Sequence, residues 1–270
     1  MIELMLVIAL IGSAIASLWD LKTTEIPDEI PTLMASIGVF AWFVSALTTG
    51  NFFPLFLCLV IGSLYLLFGW LLYKFGQWGG GDAKLMAGIG YLTPFYPGIF
   101  LFPFTFFVNV FVVGAVYVII YAFVIGLPNK KVTATFISDI KKTWKFVIGT
   151  PIMFLASVLF ITFYLDSYQL LFSFTLFFLV LFLILFYKYG KAVEKMAFKK
   201  RIKLSELKVG DVIDSAKKWD GLTEEEIKKI KKSGRKYITI KEGVRFGPVF
   251  FLALILTVIK GNLFLFLNVV

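Results

Sequence analysis

Two aspartates are the side chains of this sequence best placed to do chemistry. Asp20 closes a long apolar run after Ser17-Leu18-Trp19, and Asp82 opens another after Gly79-Gly80-Gly81. Ionisable groups beside runs of this kind are costly, and those that persist are candidates for function. Few other chemistries are open. The 270 residues include no histidine and one cysteine, Cys58, so His-assisted nucleophiles, His-ligated metals, cysteine zinc sites and disulfides are excluded. Hydrolysis would have to come from carboxylates, Ser/Lys or Thr. Two carboxylates brought together cannot both ionise; one keeps its proton near neutral pH and the pair titrates as a unit. The ionised partner can take a proton from a water attacking a peptide carbonyl, while the protonated partner donates to the carbonyl oxygen. Such a reaction needs no covalent intermediate, no cofactor and no metal.

The glycines before Asp82 fit this chemistry. Lacking Cβ atoms, Gly79, Gly80 and Gly81 permit unusual backbone angles and close approach of another chain, and unpaired backbone groups there can bind an extended substrate by strand addition. Each feature also has a plainer reading when taken singly. Asp82 would be a helix N-cap at an interfacial turn, and Asp20 a helix-end carboxylate. Their placement on one side of a membrane, argued next, is what favours the pair.

The elements that must position them are membrane helices. Hydrophobic residues make up 59% of the chain and charged residues 16%, with mean hydropathy +0.89, against about 45–50% and 25% in soluble domains. A water-soluble globule, a disordered chain and a coiled coil are excluded. Runs approaching the roughly 20 apolar residues of a span cover 1–19, 30–47, 53–73, 98–125, 146–165, 170–187 and 247–270, with a shorter run at 83–92 ended by Pro94 and Pro97. Pro103 is expected to kink the fifth run. The first run lacks the positive n-region and small-residue cleavage site of a signal peptide and is read as a retained span. With the N-terminus outside, every basic residue except Lys260 falls on the inner side or at an inner helix end, as charge-governed topology requires. The inner segments are then 20–29, 74–82, 126–145 and 188–246. The exit of an odd span and the entry of an even one share a face, so Asp20 and Asp82 meet at the cytoplasmic side. The net charge of +10 reflects this topology and attraction to anionic lipid heads; no nucleic-acid partner is expected.

The expected fold is therefore an all-α polytopic membrane protein, with about six to eight transmembrane helices and a small cytoplasmic α+β module. Its parts are a membrane catalytic domain at 1–126, an additional helix pair with a basic cytoplasmic loop at 127–187, the module at 188–246, and a C-terminal span at 247–270. In the module, Thr223-Glu224-Glu225-Glu226 reads as a capping box opening a helix that buries Ile227 and Ile230 and ends near Gly234, and 237–240 as a strand. The module is too small to hold a large core alone and is expected to lean on the membrane part. Trp19, Trp42, Trp78 and Trp144 are expected as interfacial aromatics, Asn109 as a helix–helix hydrogen-bond partner, and Lys260 as a snorkelling side chain or a partner of a polar group.

Gly79-Gly80-Gly81-Asp82-Ala83-Lys84-Leu85 resembles the GxGD motif of intramembrane aspartic peptidases in the form used by the type IV prepilin peptidase family. The other half of that family's pattern, an Asp with five residues between it and Ile-Pro, is matched by Asp20 and Ile26-Pro27. The family's catalytic aspartates then correspond to Asp20 and Asp82. The segments Leu207–Ile213, Gly221–Thr223 and Ile240–Pro248 are similar to the C-terminal region of the archaeal preflagellin peptidase branch. The bacterial branch, with its four-cysteine zinc module and methyltransferase activity, fits poorly with a single cysteine. The resemblance implies cleavage of short basic leader peptides from preflagellin or prepilin-like proteins at the cytoplasmic face of the cell membrane. Glu25, Asp28 and Glu29 would then attract the leader's Lys or Arg through their field, the plainer alternative being a solvated helix start. Lys84 would neutralise an aspartate of the pair or bind lipid phosphate. Presenilin-like families share GxGD but carry a Tyr-Asp pair and a Pro-Ala-Leu motif that this chain lacks. Residues 128–190 have no counterpart in the resemblance.

Two readings from other classes compete. A proton- or cation-coupled transporter could use the same carboxylates, although transporters place such acids near the bilayer midplane in related halves, and no two halves match here. A catalytically silent scaffold would use the module to bind partners.

Overall fold

A computed structural model describes residues 1–99, 101–164, 170–214, 221–231 and 236–261. The expected turn at Asp166, the helix end at Gly234 and the last residues of the final run, 262–270, lie outside the described residues. Six helices are long and apolar enough to cross a membrane among the described residues. They are α1 (Ile2–Thr23), α2 (Glu29–Thr49), α3 (Phe53–Lys74), α5 (Phe102–Gly126), α7 (Trp144–Tyr164) and α8 (Leu170–Val193). The remaining helices are α4 (Gly80–Leu92), α6 (Lys130–Lys142), α9 (Glu224–Lys231) and α10 (Gly247–Lys260). The fold is polytopic and all-α in its membrane part, with a small α+β module.

The chain divides into two compact units, 1–119 with 201–270, and 120–200. In the first, α4 is the central element. Its 13 residues rise only about 20 Å, against a hydrocarbon core of about 30 Å. Length is replaced by burial: Leu85, Met86, Ile89 and Leu92 are fully enclosed, and only Lys84 of this helix is exposed. Helices α1, α2, α3 and α10 pack around it. The N-terminal end of α1 lies beside the C-terminal end of α4, where the Tyr96 hydroxyl donates to the Glu3 carboxylate at 3.0 Å. These two helices therefore run antiparallel, and the C-terminal end of α1 meets the N-terminal end of α4.

Several expectations change in detail. Trp42 and Trp78 are buried in the helix packing. The Trp42 indole donates to the Leu92 carbonyl at 3.2 Å, and Trp78 stacks on Phe111 and meets the edge of Phe250. Hydropathy could not distinguish a Trp at a lipid boundary from one filling a helix junction. Trp19 and Trp144 are exposed. Pro103 lies in the first turn of α5, where Pro is tolerated because the N–H there has no helical acceptor. Asn109 bridges α5 to α10, its Nδ2 donating to Thr257 Oγ1 and to the Gly261 carbonyl, both at 2.9 Å. Lys260 is exposed in the last turn of α10.

The module has a three-stranded sheet in the order β1 (Lys199–Lys203), β3 (Tyr237–Lys241), β2 (Val212–Ile213). Strand β2 pairs antiparallel with β3, Val212 opposite Lys241 and Ile213 opposite Ile240. Leu204, Leu207, Leu222, Ile227, Ile238 and Ile240 form its small core, with Ile230 packed at the edge. The capping box forms as read: the Thr223 N–H donates to Glu226 Oε2 at 2.9 Å and the Glu226 N–H to Thr223 Oγ1 at 3.3 Å. These bonds hold the Glu226 carboxyl below its usual range.

In the second unit, the basic segment expected as a loop contains the helix α6. The Asn129 side chain caps it, accepting from the Lys131 N–H at 3.0 Å, and Val132 is its buried contact. The Lys188 ammonium on α8 pairs with Asp139 at 2.7 Å. Helix α8 runs on to Val193 and into a π-helical turn, Glu194–Phe198.

Candidate active site

Asp20 lies in the last turn of α1 and is 5% exposed. The helix stops at Thr24, a β-branched residue held at φ 66, whose N–H returns to the Asp20 carbonyl at 2.8 Å. Thr23 Oγ1 donates to the Trp19 carbonyl at 2.9 Å and lies 3.0 Å from the Glu25 carbonyl, fastening the reversal. The chain then delivers Ile26 inward and Pro27 to the start of α2. Asp82 is in the first turn of α4, where its Oδ2 accepts the Gly79 N–H at 3.1 Å. Gly79, not Asp82, is the N-cap; Asp82 satisfies the turn from three residues further on.

Of the two properties expected of the glycines, unusual backbone angles and close approach, the structure uses the second. None of Gly79, Gly80 and Gly81 has a positive φ, and Gly79 is simply extended. Close approach is the real requirement, and it falls on Gly81. A Cβ there would stand 2.8 Å from the Ile26 Cβ, nearer than two side chains can pack. The segment after Asp20 and the segment before Asp82 are thus in direct contact, and the two carboxylates lie within electrostatic reach of one another.

A third element was not anticipated. The Gly247 N–H, at the start of α10, donates to Asp20 Oδ2 at 2.7 Å. Ser17 Oγ lies 3.0 Å from the Gly247 carbonyl, and Arg245 brings its positive charge to bear on Asp20. A backbone donor leaves no trace in residue type. The available signal was Arg245, a basic residue immediately before the last apolar run.

The acids after Asp20 are exposed at the same end of the first unit. Asp28 is engaged by Lys84 in an ion pair, so Lys84 meets this acid rather than Asp20 or Asp82. The reason is local: Lys84 points outward from α4, two residues past the buried aspartate. Glu25 lies against the module, where a Cβ on Gly210 would collide with its carboxylate. Glu29 occupies the first turn of α2. Among the described residues no three His, Cys, Asp or Glu side chains converge as a metal-binding group.

The sequence model of the type IV leader peptidase family matches residues 7–128, a stretch that contains both aspartates and the contact between their segments. Residues 7–128 are thus similar to the type IV leader peptidase family. A preflagellin peptidase from Methanococcus voltae is 37% identical over 89 residues, 33% of this chain. That match spans 38% of the relative's own length. In this leader peptidase family segment the first motif ends one span and the second begins the short central helix. Arg245 and Gly247 lie beyond it in sequence yet reach the same carboxylate.

Proposed function

We propose that this chain is a membrane aspartic endopeptidase that removes the basic leader peptide of preflagellin or type IV prepilin-like precursors. The observation that carries the reading is the convergence of Asp20 and Asp82 at one end of the first unit, inside the leader peptidase family segment. The pair shares a proton, one carboxylate activating water and the other protonating the carbonyl oxygen. A scissile bond in a hydrogen-bonded helix is closed to attack, so the junction between leader and apolar segment unwinds at the site while the apolar segment stays in the bilayer. The charge distribution supports a multi-pass chain in the cell membrane with its N-terminus outside and the pair at the cytoplasmic face. Glu25, Asp28 and Glu29 surround the approach and favour a basic leader, and Gly79, Gly80 and Gly81 line the path of the extended substrate.

The test is direct. Detergent-solubilised protein is incubated with a preflagellin, alongside Asp20→Ala and Asp82→Ala. Cleavage by the parent and a loss of about 10^3-fold or more in each variant is expected. Full cleavage by both variants rejects the reading, and so does a parent that cleaves nothing.

A further inference from the structure

We propose that the segment Arg245-Phe246-Gly247 divides the labour of the pair, holding Asp20 as the ionised proton acceptor and leaving Asp82 as the proton donor. The proposal rests on the peptidase reading above, and it adds residues outside the leader peptidase family segment to the site.

Three observations carry it. First, the Gly247 N–H to Asp20 Oδ2 bond is short, buried and made by the first residue of α10. That N–H has no acceptor within its own helix, and it sits at the positive end of the helix dipole. Second, the fit is tight. A Cβ on Gly247 would stand 3.0 Å from both the Cβ and Oδ2 of Asp20, and the contact between Ser17 Oγ and the Gly247 carbonyl joins the same two helices one turn away. Third, Arg245 supplies a full positive charge. The Tyr117 hydroxyl donates to its carbonyl at 2.8 Å, and its buried Nε has no acceptor among the described residues.

The charged groups acting on Asp20 are Asp82 from α4 and Arg245 from the segment leading into α10. Asp82 has less support for a negative charge. It accepts one backbone bond, at 3.1 Å, and faces the charge of Asp20. Burial disfavours a charge on either carboxyl. Of the two, Asp20 has the shorter backbone bond, 2.7 Å against 3.1 Å, and the cation. Since hydrogen bonds and cations favour the ionised form, the shared proton rests on Asp82. Arg245 and Gly247 act through Asp20 and are positioning residues.

The experiment uses the full chain in lipid vesicles and a synthetic peptide bearing a lysine-rich leader, a glycine and an apolar segment. Profiles of kcat and KM against pH are measured for the parent, Arg245→Gln, Arg245→Lys and Gly247→Ala. Loss of the cation lets Asp20 keep its proton to higher pH. Arg245→Gln therefore lowers kcat about tenfold, leaves KM within about twofold, and moves the acidic limb of the kcat profile up by about one pH unit. Arg245→Lys restores the limb. Gly247→Ala, which displaces Asp20 from its donor, moves the limb the same way. A merely structural role would lower kcat without moving it. An unmoved limb, or one that Lys does not restore, overturns the proposal. Isotope-edited infrared titration of Asp20 in an Asp82→Asn background gives the same decision without turnover. It separates this proposal from the peptidase reading, which alone fails if the parent does not cleave.

Discussion

The two compact units are built from equally apolar helices and put them to different use. Of the most apolar stretch of α1, 39% is buried inside the protein, whereas the corresponding figures for α7 and α8 are 11% and 6%. In the first unit, helices surround the short α4 on nearly every side, and polar groups are buried among them: Ser17, Asp20, Asn109 and Thr257. In the second, Phe160, Phe163, Phe178 and Leu183 point outward, and the polar groups include the pair between Lys188 and Asp139 and the buried Ser173. Hydropathy alone cannot tell these units apart, since it measures whether a helix prefers lipid to water and says nothing of what else it touches. A larger set of buried polar residues marks the unit that holds Asp20 and Asp82.

Substitutions sharpen this contrast. The largest effect short of removing an aspartate is expected at Gly81. Gly81→Val forces Ile26 away and separates the segments that carry the two carboxylates; cleavage falls by about 100-fold. Activity within a fewfold of the parent would show that the contact does not position the pair. Next comes charge reversal of Glu25, Asp28 and Glu29 together, which raises KM for a lysine-rich leader by about tenfold, and more at low salt. An unchanged KM across leaders of different charge would end the recruiting role of these acids. A smaller difference is expected in stability. Asn109→Leu in α5 removes a bridge to α10 and costs about 1 kcal/mol, read by denaturant unfolding in detergent. Phe178→Ala on α8 changes stability by no more than about 0.5 kcal/mol and leaves cleavage intact. Equal costs at the two positions would erase the distinction between the units.

The sequence made some parts of this architecture plain and hid others. The meeting of the segments beside Asp20 and Asp82 was legible because the exit of an odd span and the entry of an even one are expected on one face. The Thr223–Glu226 capping box, the strand at 237–241 and the Asn109 bridge were legible because residue type dictates the bond. Gly247 was hidden because its contribution is a backbone N–H, available in principle at any residue but Pro and made useful only by three-dimensional approach. Lys84 was legible as a charge but not in its partner, since the helix phase that turns it outward to Asp28 depends on which face of α4 is buried. Gly81 was legible as a place of close approach, but not its neighbour: the residue that needs its missing volume is Ile26 of this same chain, where an incoming substrate strand was expected.

Coupling between the two carboxylates tests the central claim most directly. Isotope-edited infrared spectroscopy can follow the protonation of Asp82 in the parent and in Asp20→Asn. If the two face each other, removing the negative charge of Asp20 makes Asp82 easier to ionise, and its titration midpoint falls by about one pH unit or more. A midpoint that stays where it was would mean that the carboxylates do not share a pocket, and would contradict the account.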